Sequence, residues 1–133
     1  IYSEHFIEHL KKDDGYKMLS ECFRVLKPGG AMRIGWPSFN KIINSGHTKS
    51  QRHKRHVTPH LKLRYGNWDE ITIDRLFSWG HQYAYTPRYM KTILSDIGFV
   101  TVKRKKFGKS DYGFDYDTHN DPVTVYLEAI KPS

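Results

Sequence analysis

Cysteine is nearly absent: Cys22 stands alone in 133 residues. That excludes an internal disulfide framework and every Cys-x-x-Cys zinc or redox motif, and a reducing setting is the simpler expectation. No apolar run approaches the roughly 20 residues a helix needs to cross a bilayer, and no charged-then-apolar leader pattern is visible. The protein is therefore expected in the cytoplasm, with no membrane partner. A glycine-rich phosphate loop is also lacking: no G-x-G-x-x-G follows a strand, and the one adjacent glycine pair, Gly29-Gly30, follows a helix. Asp111, Asp115, Asp117 and Asp121 miss the spacing of a calcium loop, and no nucleophile elbow occurs.

Positive charge is abundant. The formal net charge is +8, with eight histidines not counted in it, so anionic partners are favoured, more so in mild acid. The densest run is Lys49 to Arg64, KSQRHKRHVTPHLKLR, which reads as an exposed loop. A nucleic-acid backbone would be held there if anywhere, but no aromatic residue interleaves before Leu63 to stack bases. A solvated face or a substrate wall is the simpler reading.

The length suits one domain, residues 1–133, with 38–80 as an inserted, irregular region. Ile1 and Tyr2 read as the end of a strand that begins upstream. A helix follows, with Asp13 or Asp14 as N-cap and Leu19, Cys22, Phe23 and Leu26 on one face. Lys27-Pro28-Gly29-Gly30 stops it, and Ala31 to Trp36 forms the next strand, closed by Pro37. Strand, helix, strand makes a βαβ unit with parallel neighbours. Ser38 to Ile43 and Asp69 to Trp79 are short helix candidates, the second with Ile73, Leu76 and Phe77 inward. Thr86-Pro87 starts another helix, with Tyr89, Met90, Ile93, Leu94 and Ile97 buried and Gly98 as its cap. Phe99 to Lys103 and Val123 to Ile130 alternate as strands, separated by a long turn region from Gly108 to Pro122.

Chemistry is concentrated in the first turn, where Glu4, His5, Glu8 and His9 fall within six residues. Open α/β sheets deliver ligand-binding groups at this point, the carboxyl end of a strand. The surrounding residues carry a resemblance. YSEHFIEHL, RVLKPGGAMRI, GHQYAYTPRYMKTILSDIGF, FGKSD and the ending VYLEAIKP together resemble the second half of a class I S-adenosylmethionine (SAM)-dependent methyltransferase, in a small bacterial group of that family. The resemblance implies an α/β fold: a partial Rossmann-like sheet of two parallel strands plus a C-terminal antiparallel pair, the last strand inserted beside Ala31 to Trp36, with helices packed on it. It also implies that the N-terminal half, with the glycine-rich SAM loop and the acidic ribose ligand, lies outside these residues.

By the same resemblance, Ser3, Glu4, His5 and Phe6 lie against the methionine part of SAM. Glu8 and His9 face the substrate, a small molecule or glycan with an O- or N-nucleophile, and Tyr83 and Tyr85 add aromatic surface that is expected to meet it. His9, then His81, are the candidate general bases. A second reading comes from similarity to plant small-RNA 2′-O-methyltransferases and ubiquinone-pathway O-methyltransferases, which carry Glu-x-x-Glu-His at this turn. There His5, Glu8, His9 and His81 would bind a divalent metal such as Mn²⁺, Fe²⁺ or Zn²⁺, although His5 replaces a glutamate. In a third reading Glu8 merely favours a helix N-terminus and His9 makes a structural hydrogen bond. The rival to any enzyme is a basic binding or assembly module, inactive by itself. An open strand edge at Ile1 to Leu10 leads to the expectation of a homo-oligomer.

Overall fold

The computed structural model describes residues 1–45 and 68–133. The basic run Lys49 to Arg64 lies outside the described residues. Four strands form one sheet in the order β1-β2-β4-β3. Strand β1 (Tyr2–Glu4) runs parallel to β2 (Ala31–Pro37). Strand β4 (Thr124–Ile130) is inserted antiparallel between β2 and β3 (Val100–Lys105). This is the predicted topology, with β1 at the free edge. Four α-helices accompany it among the described residues: α1 (Lys12–Val25), α2 (Phe39–Ser45), α3 (Trp68–Phe77) and α4 (Pro87–Ile97). No described helix is long and apolar enough to cross a membrane.

The two faces of the sheet are built differently. On one, Met32, Ile34 and Trp36 of β2 join Val125, Leu127 and Ala129 of β4 against Leu19 of α1 and Met90, Ile93 and Leu94 of α4. Cys22, Phe23 and Leu26 pack partly buried at its margin, as the periodicity of α1 predicts. Helix α4 begins as predicted: the Thr86 hydroxyl accepts from the Tyr89 N–H at 3.1 Å, Pro87 follows, and Gly98 closes the helix in the left-handed region. The opposite face carries Arg33 and Gly35 of β2 beside Glu128 and Tyr126 of β4. A Cβ on residue 35 would lie 2.5 Å from the Tyr126 ring, so only glycine fits there.

That second face is buried as well, because the 106–119 segment lies over it. The guanidinium of Arg33, fully buried, donates to Asp117, to Glu128 at 2.9 Å, and to the carbonyls of Lys106 and Lys109, both at 3.1 Å. Asp117 in turn accepts from the Gly108 N–H, and Glu128 from the Asp111 N–H. The region expected to be a turn is thus a cover, tied down from below.

Three local expectations are corrected. Helix α1 starts at Lys12 with Lys11 as an N-cap that makes no side-chain bond, so Asp13 and Asp14 sit inside the first turn, where their charge meets the positive helix end. The start is set by packing: Gly15 lies beneath Tyr85, whose hydroxyl would be 2.4 Å from an added Cβ. In α3, Ile73 and Phe77 point outward, 50% and 75% exposed, while Ile71 and Arg75 are buried. That helix packs against α2 rather than the sheet, which rotates it away from the face an apolar count would choose. Strand β3 begins at Val100 and runs to Lys105, with a register shift between Val100 and Lys103 and Thr101 at positive φ.

Candidate functional site

At the carboxyl end of β1 the His5 N–H still bonds the Gly35 carbonyl at 2.9 Å, extending the parallel ladder by one residue. His5 then takes φ of 48°, a left-handed conformation costing on the order of 1 kcal/mol for a residue with a Cβ. The chain turns sharply into a single 3-10 turn, Ile7–His9. This turn swings Ile7 into the core and Glu8 beneath the sheet end. A second tight turn, with Trp79 and Gly80 both at positive φ, leads out of α3 and presents His81. The two are joined because the Glu8 carbonyl accepts the Gln82 N–H at 2.7 Å and the Tyr83 N–H at 3.3 Å.

Glu8 is the centre of the site. It is 2% exposed, and neither carboxylate oxygen has a hydrogen-bond partner among the described residues. Burial raises its pKa, against the pull of its own backbone N–H and then of His9 and His119. Three imidazoles surround it. His5 Nδ1 lies 3.4 Å and His9 Nε2 3.8 Å from Glu8 Oε1. The His9 and His81 rings meet edge to face at 4.9 Å, and ligand atoms of Glu8, His9 and His81 all lie within 4.8 Å of one another.

Hydrogen-bond bookkeeping assigns the tautomers. His81 Nδ1 is 3.0 Å from the Arg75 carbonyl, which can only accept, so Nδ1 carries the proton and Nε2 is left bare. Burial lowers the His81 pKa, which keeps the ring neutral at pH 7. The Thr124 hydroxyl donates its one proton to Asp121 at 2.9 Å, so it must accept from His5 Nε2 at 2.8 Å. His5 Nδ1 is then bare as well and faces Glu8. Burial first, then the neighbouring His119, lowers the His5 pKa to about 4. A neutral His5 cannot donate to Glu8, which accounts for the unpartnered carboxylate.

The remaining predicted residues separate. Glu4 accepts from the Thr118 N–H and hydroxyl, the His119 N–H and the Tyr126 hydroxyl. Against burial, these bonds hold its pKa at about 2. Its carboxylate is thus occupied in anchoring the 118–119 segment. Ser3 is buried and Phe6 is half exposed, and both line an open groove of about 560 Å³ along the outer edge of β1, with Ile1, Tyr2 and Met18. Tyr83 is half-buried above α1, with the Lys12 ammonium over its ring. Tyr85, expected at the substrate, is a core side chain, 1% exposed, packed between Tyr83 and Tyr89 with its hydroxyl unpartnered. Its main-chain bridge to Ser38 pins it under the sheet. His5, although beside Glu8, is not among the ligand atoms of Glu8, His9 and His81 that lie within 4.8 Å of one another, and its ring stacks on His119 at 3.7 Å.

His119, Asp121 and Thr124 were missed by sequence reasoning. The signal was present: an antiparallel last strand beside β2 must begin at the sheet end where β2 finishes, so the residues leading into it belong to the site.

The family profile described as "Methyltransferase domain" matches residues 1–34. Among curated proteins none matches the chain. A SAM-dependent methyltransferase from Archaeoglobus fulgidus is 18% identical with a TM-score of 0.55, covering 98% of this chain and 57% of its own. A SAM-dependent methyltransferase from Thermotoga maritima, a possible histamine N-methyltransferase, is 14% identical with a TM-score of 0.54, covering 98% and 54%. A possible exported protein from Bordetella parapertussis is 15% identical with a TM-score of 0.58, covering 99% and 38%. The fold is that of part of a class I SAM-dependent methyltransferase domain. The chain spans from 38% to 57% of the length of these three structures, and at such identities the likeness concerns the fold.

Proposed function

We propose that this chain forms the acceptor side of a cytoplasmic SAM-dependent methyltransferase acting on an O- or N-nucleophile of a small molecule or glycan. The observation that supports it most is Glu8, a buried, unpartnered carboxylate beside two bare imidazole nitrogens at the carboxyl end of a parallel strand. Such an arrangement is costly for folding and useful for moving a proton. Bound SAM would supply an electrophilic methyl group. Ser3 and Phe6, along the β1 edge, would lie beside its methionine part, with Glu4 anchoring the loop behind them. His81 Nε2, bare and neutral, accepts the proton of the acceptor, or His9 does. Glu8 then stabilises the imidazolium by proximity, from its own buried position.

The test is transfer of a labelled methyl group from SAM to a panel of hydroxyl- and amine-bearing sugars and metabolites, using the protein at its natural length. His81→Ala, His9→Ala and Glu8→Gln are each expected to lower kcat by roughly 10²-fold or more where a general base is needed, leaving SAM affinity in place. Full activity in all three variants would remove these residues from the chemistry.

One observation favours a second reading. Two imidazoles and a carboxylate with ligand atoms within 4.8 Å need only a small closure to hold Mn²⁺, Fe²⁺ or Zn²⁺, and the bond from His81 Nδ1 to a carbonyl is the usual orienting contact of a metal-binding histidine. Under this reading, metal raises the melting temperature by linkage and His9→Ala abolishes the rise. The non-catalytic alternative rests on the free β1 edge and the 50% exposed Phe6. It calls for a homo-oligomer through Ile1 to Leu10, which light scattering of the wild type and Phe6→Asp decides.

A further inference from the structure

Two further cavities open at the same end of the sheet. The first, about 720 Å³, has Lys41, Arg104, Lys106, His119 and Thr124 in its walls. The second, about 540 Å³, is walled by Ser38, Asn40, Lys41, Thr86, Arg88 and Arg104. Lys41 and Arg104 line both, so the two meet there, and His119 carries the first cavity to the ring of His5.

The second cavity is built for negative charge. Lys41 comes from α2, Arg88 from α4 and Arg104 from β3, and none of them forms an ion pair among the described residues, whereas the adjacent Lys105 pairs with Asp111. Three cations from separate elements repel one another unless an anion lies between them. The first turn of α4, Thr86 to Arg88, forms part of the wall and adds the partial positive charge of a helix N-terminus. Ser38, in the wall, is 0% exposed, and its hydroxyl has no hydrogen-bond partner among the described residues. A buried donor left unpartnered is expensive unless a ligand oxygen meets it.

We infer that this cleft binds the phosphate group of a phosphorylated small molecule, which, on the methyl-transfer reading above, is the methyl acceptor. A phosphate monoester carries nearly two negative charges and three strong acceptor oxygens, matching several cations, a helix end and a hydroxyl. A carboxylate brings one charge and two oxygens and leaves part of that set unanswered. Both cavities are of the size that takes one small ligand, and together they let the phosphate sit at Lys41, Arg88 and Arg104 while the rest of the molecule extends past His119 toward His5 and Glu8.

The experiment is a thermal-shift titration with inorganic phosphate in zwitterionic buffer, against acetate and chloride at matched ionic strength. Phosphate is expected to raise the melting temperature, and acetate much less. The double variant Lys41→Gln with Arg104→Gln should weaken the apparent affinity roughly tenfold or more, the scale of losing charge-assisted hydrogen bonds. Arg88→Gln alone, an exposed change, should weaken it several-fold. Lys91→Gln with Lys103→Gln removes the same charge from α4 and β3 outside the cavities and should leave affinity unchanged. The inference is overturned by a phosphate shift no larger than that of acetate, by equal losses in the two double variants, or by a single-stranded oligonucleotide that binds more tightly than phosphate and loses that binding in the same variants. Circular dichroism and the melting temperature without phosphate identify a variant that fails to fold, in which case Arg88→Gln carries the decision. Phosphate binding without methyl transfer would leave the anion site standing and remove only the word acceptor. Methyl transfer without phosphate binding would overturn this inference alone.

Discussion

Two buried charged centres, one built on β2 and β4 around Arg33 and the other in the turn after β1 around Glu8, are finished to different degrees. Around Arg33 every donor of the guanidinium has an acceptor, and both of its carboxylate partners accept further main-chain N–H groups. Around Glu8 neither oxygen has a donor among the described residues, although three imidazoles stand close by. The difference separates a centre that holds a loop in place from one that the described residues leave without a donor. A buried ionic group that is fully hydrogen-bonded can be tolerated by the fold, while an unpaired one is a standing cost that folding alone would not retain.

The largest expected effect tests the finished centre. Arg33→Met strands Asp117 and Glu128 beneath the 106–119 cover, and a loss of about 3–5 kcal/mol in urea unfolding is expected, with early proteolysis in that segment. A loss under about 1 kcal/mol would show that the cover is held by something else and would collapse the contrast.

Next comes the unfinished centre, with the opposite sign. Glu8→Gln removes a buried charge, and its amide can donate to the bare His5 Nδ1. At pH 8 a gain of about 1 kcal/mol is expected, together with a fall in the proposed methyl transfer. Destabilisation by this change would mean that Glu8 already has a stabilising partner.

The smallest effect is the pH dependence, which sharpens the picture inside the pocket. The His5 pKa falls from 6.5 to about 4 on folding. Between those values the unfolded chain holds more protons, so stability falls as pH drops from 6.5 toward 4. His81 shifts in the same direction. Glu8 shifts upward, so its contribution runs the other way: full below 4.5, lost as pH rises through its folded value. The two trends oppose each other in the wild type, and a shallow acid limb is expected. In Glu8→Gln the histidine trend stands alone, at no more than about 1 kcal/mol per pH unit once the solvent reaching the rings is discounted. Identical acid limbs in the two proteins would show that Glu8 does not titrate near the histidines.

Helix α4 was legible because its signals are local. Thr86, Pro87 and Gly98 need only their own neighbours to act, and the apolar stripe follows one period. The Glu-rich and His-rich turn was legible for the same reason, as four polar residues packed into six positions after an apolar strand end. Helix α3 was legible as a helix but its buried side was not, since that side is set by α2 and by the turn that returns His81 to the Arg75 carbonyl. Tyr85 read as a surface aromatic because nothing in GHQYAYTP tells which of its two tyrosines lies over Gly15.

What the sequence determined by itself is therefore the order of elements, the parallel unit from Tyr2 to Pro37, the caps of α4 and the position of the Glu- and His-rich turn, each written in spacings of a few residues. What only the tertiary structure decided is which charges are paired. Arg33 meets Asp117 across 84 positions and Glu128 across 95, and His5 meets Thr124 across 119. Hydrogen bonds act over about 3 Å whatever the separation along the chain. A run of residues can show that a carboxylate and an imidazole are present, but whether a buried carboxylate such as Glu8 is left without a donor depends on every element that folds over it.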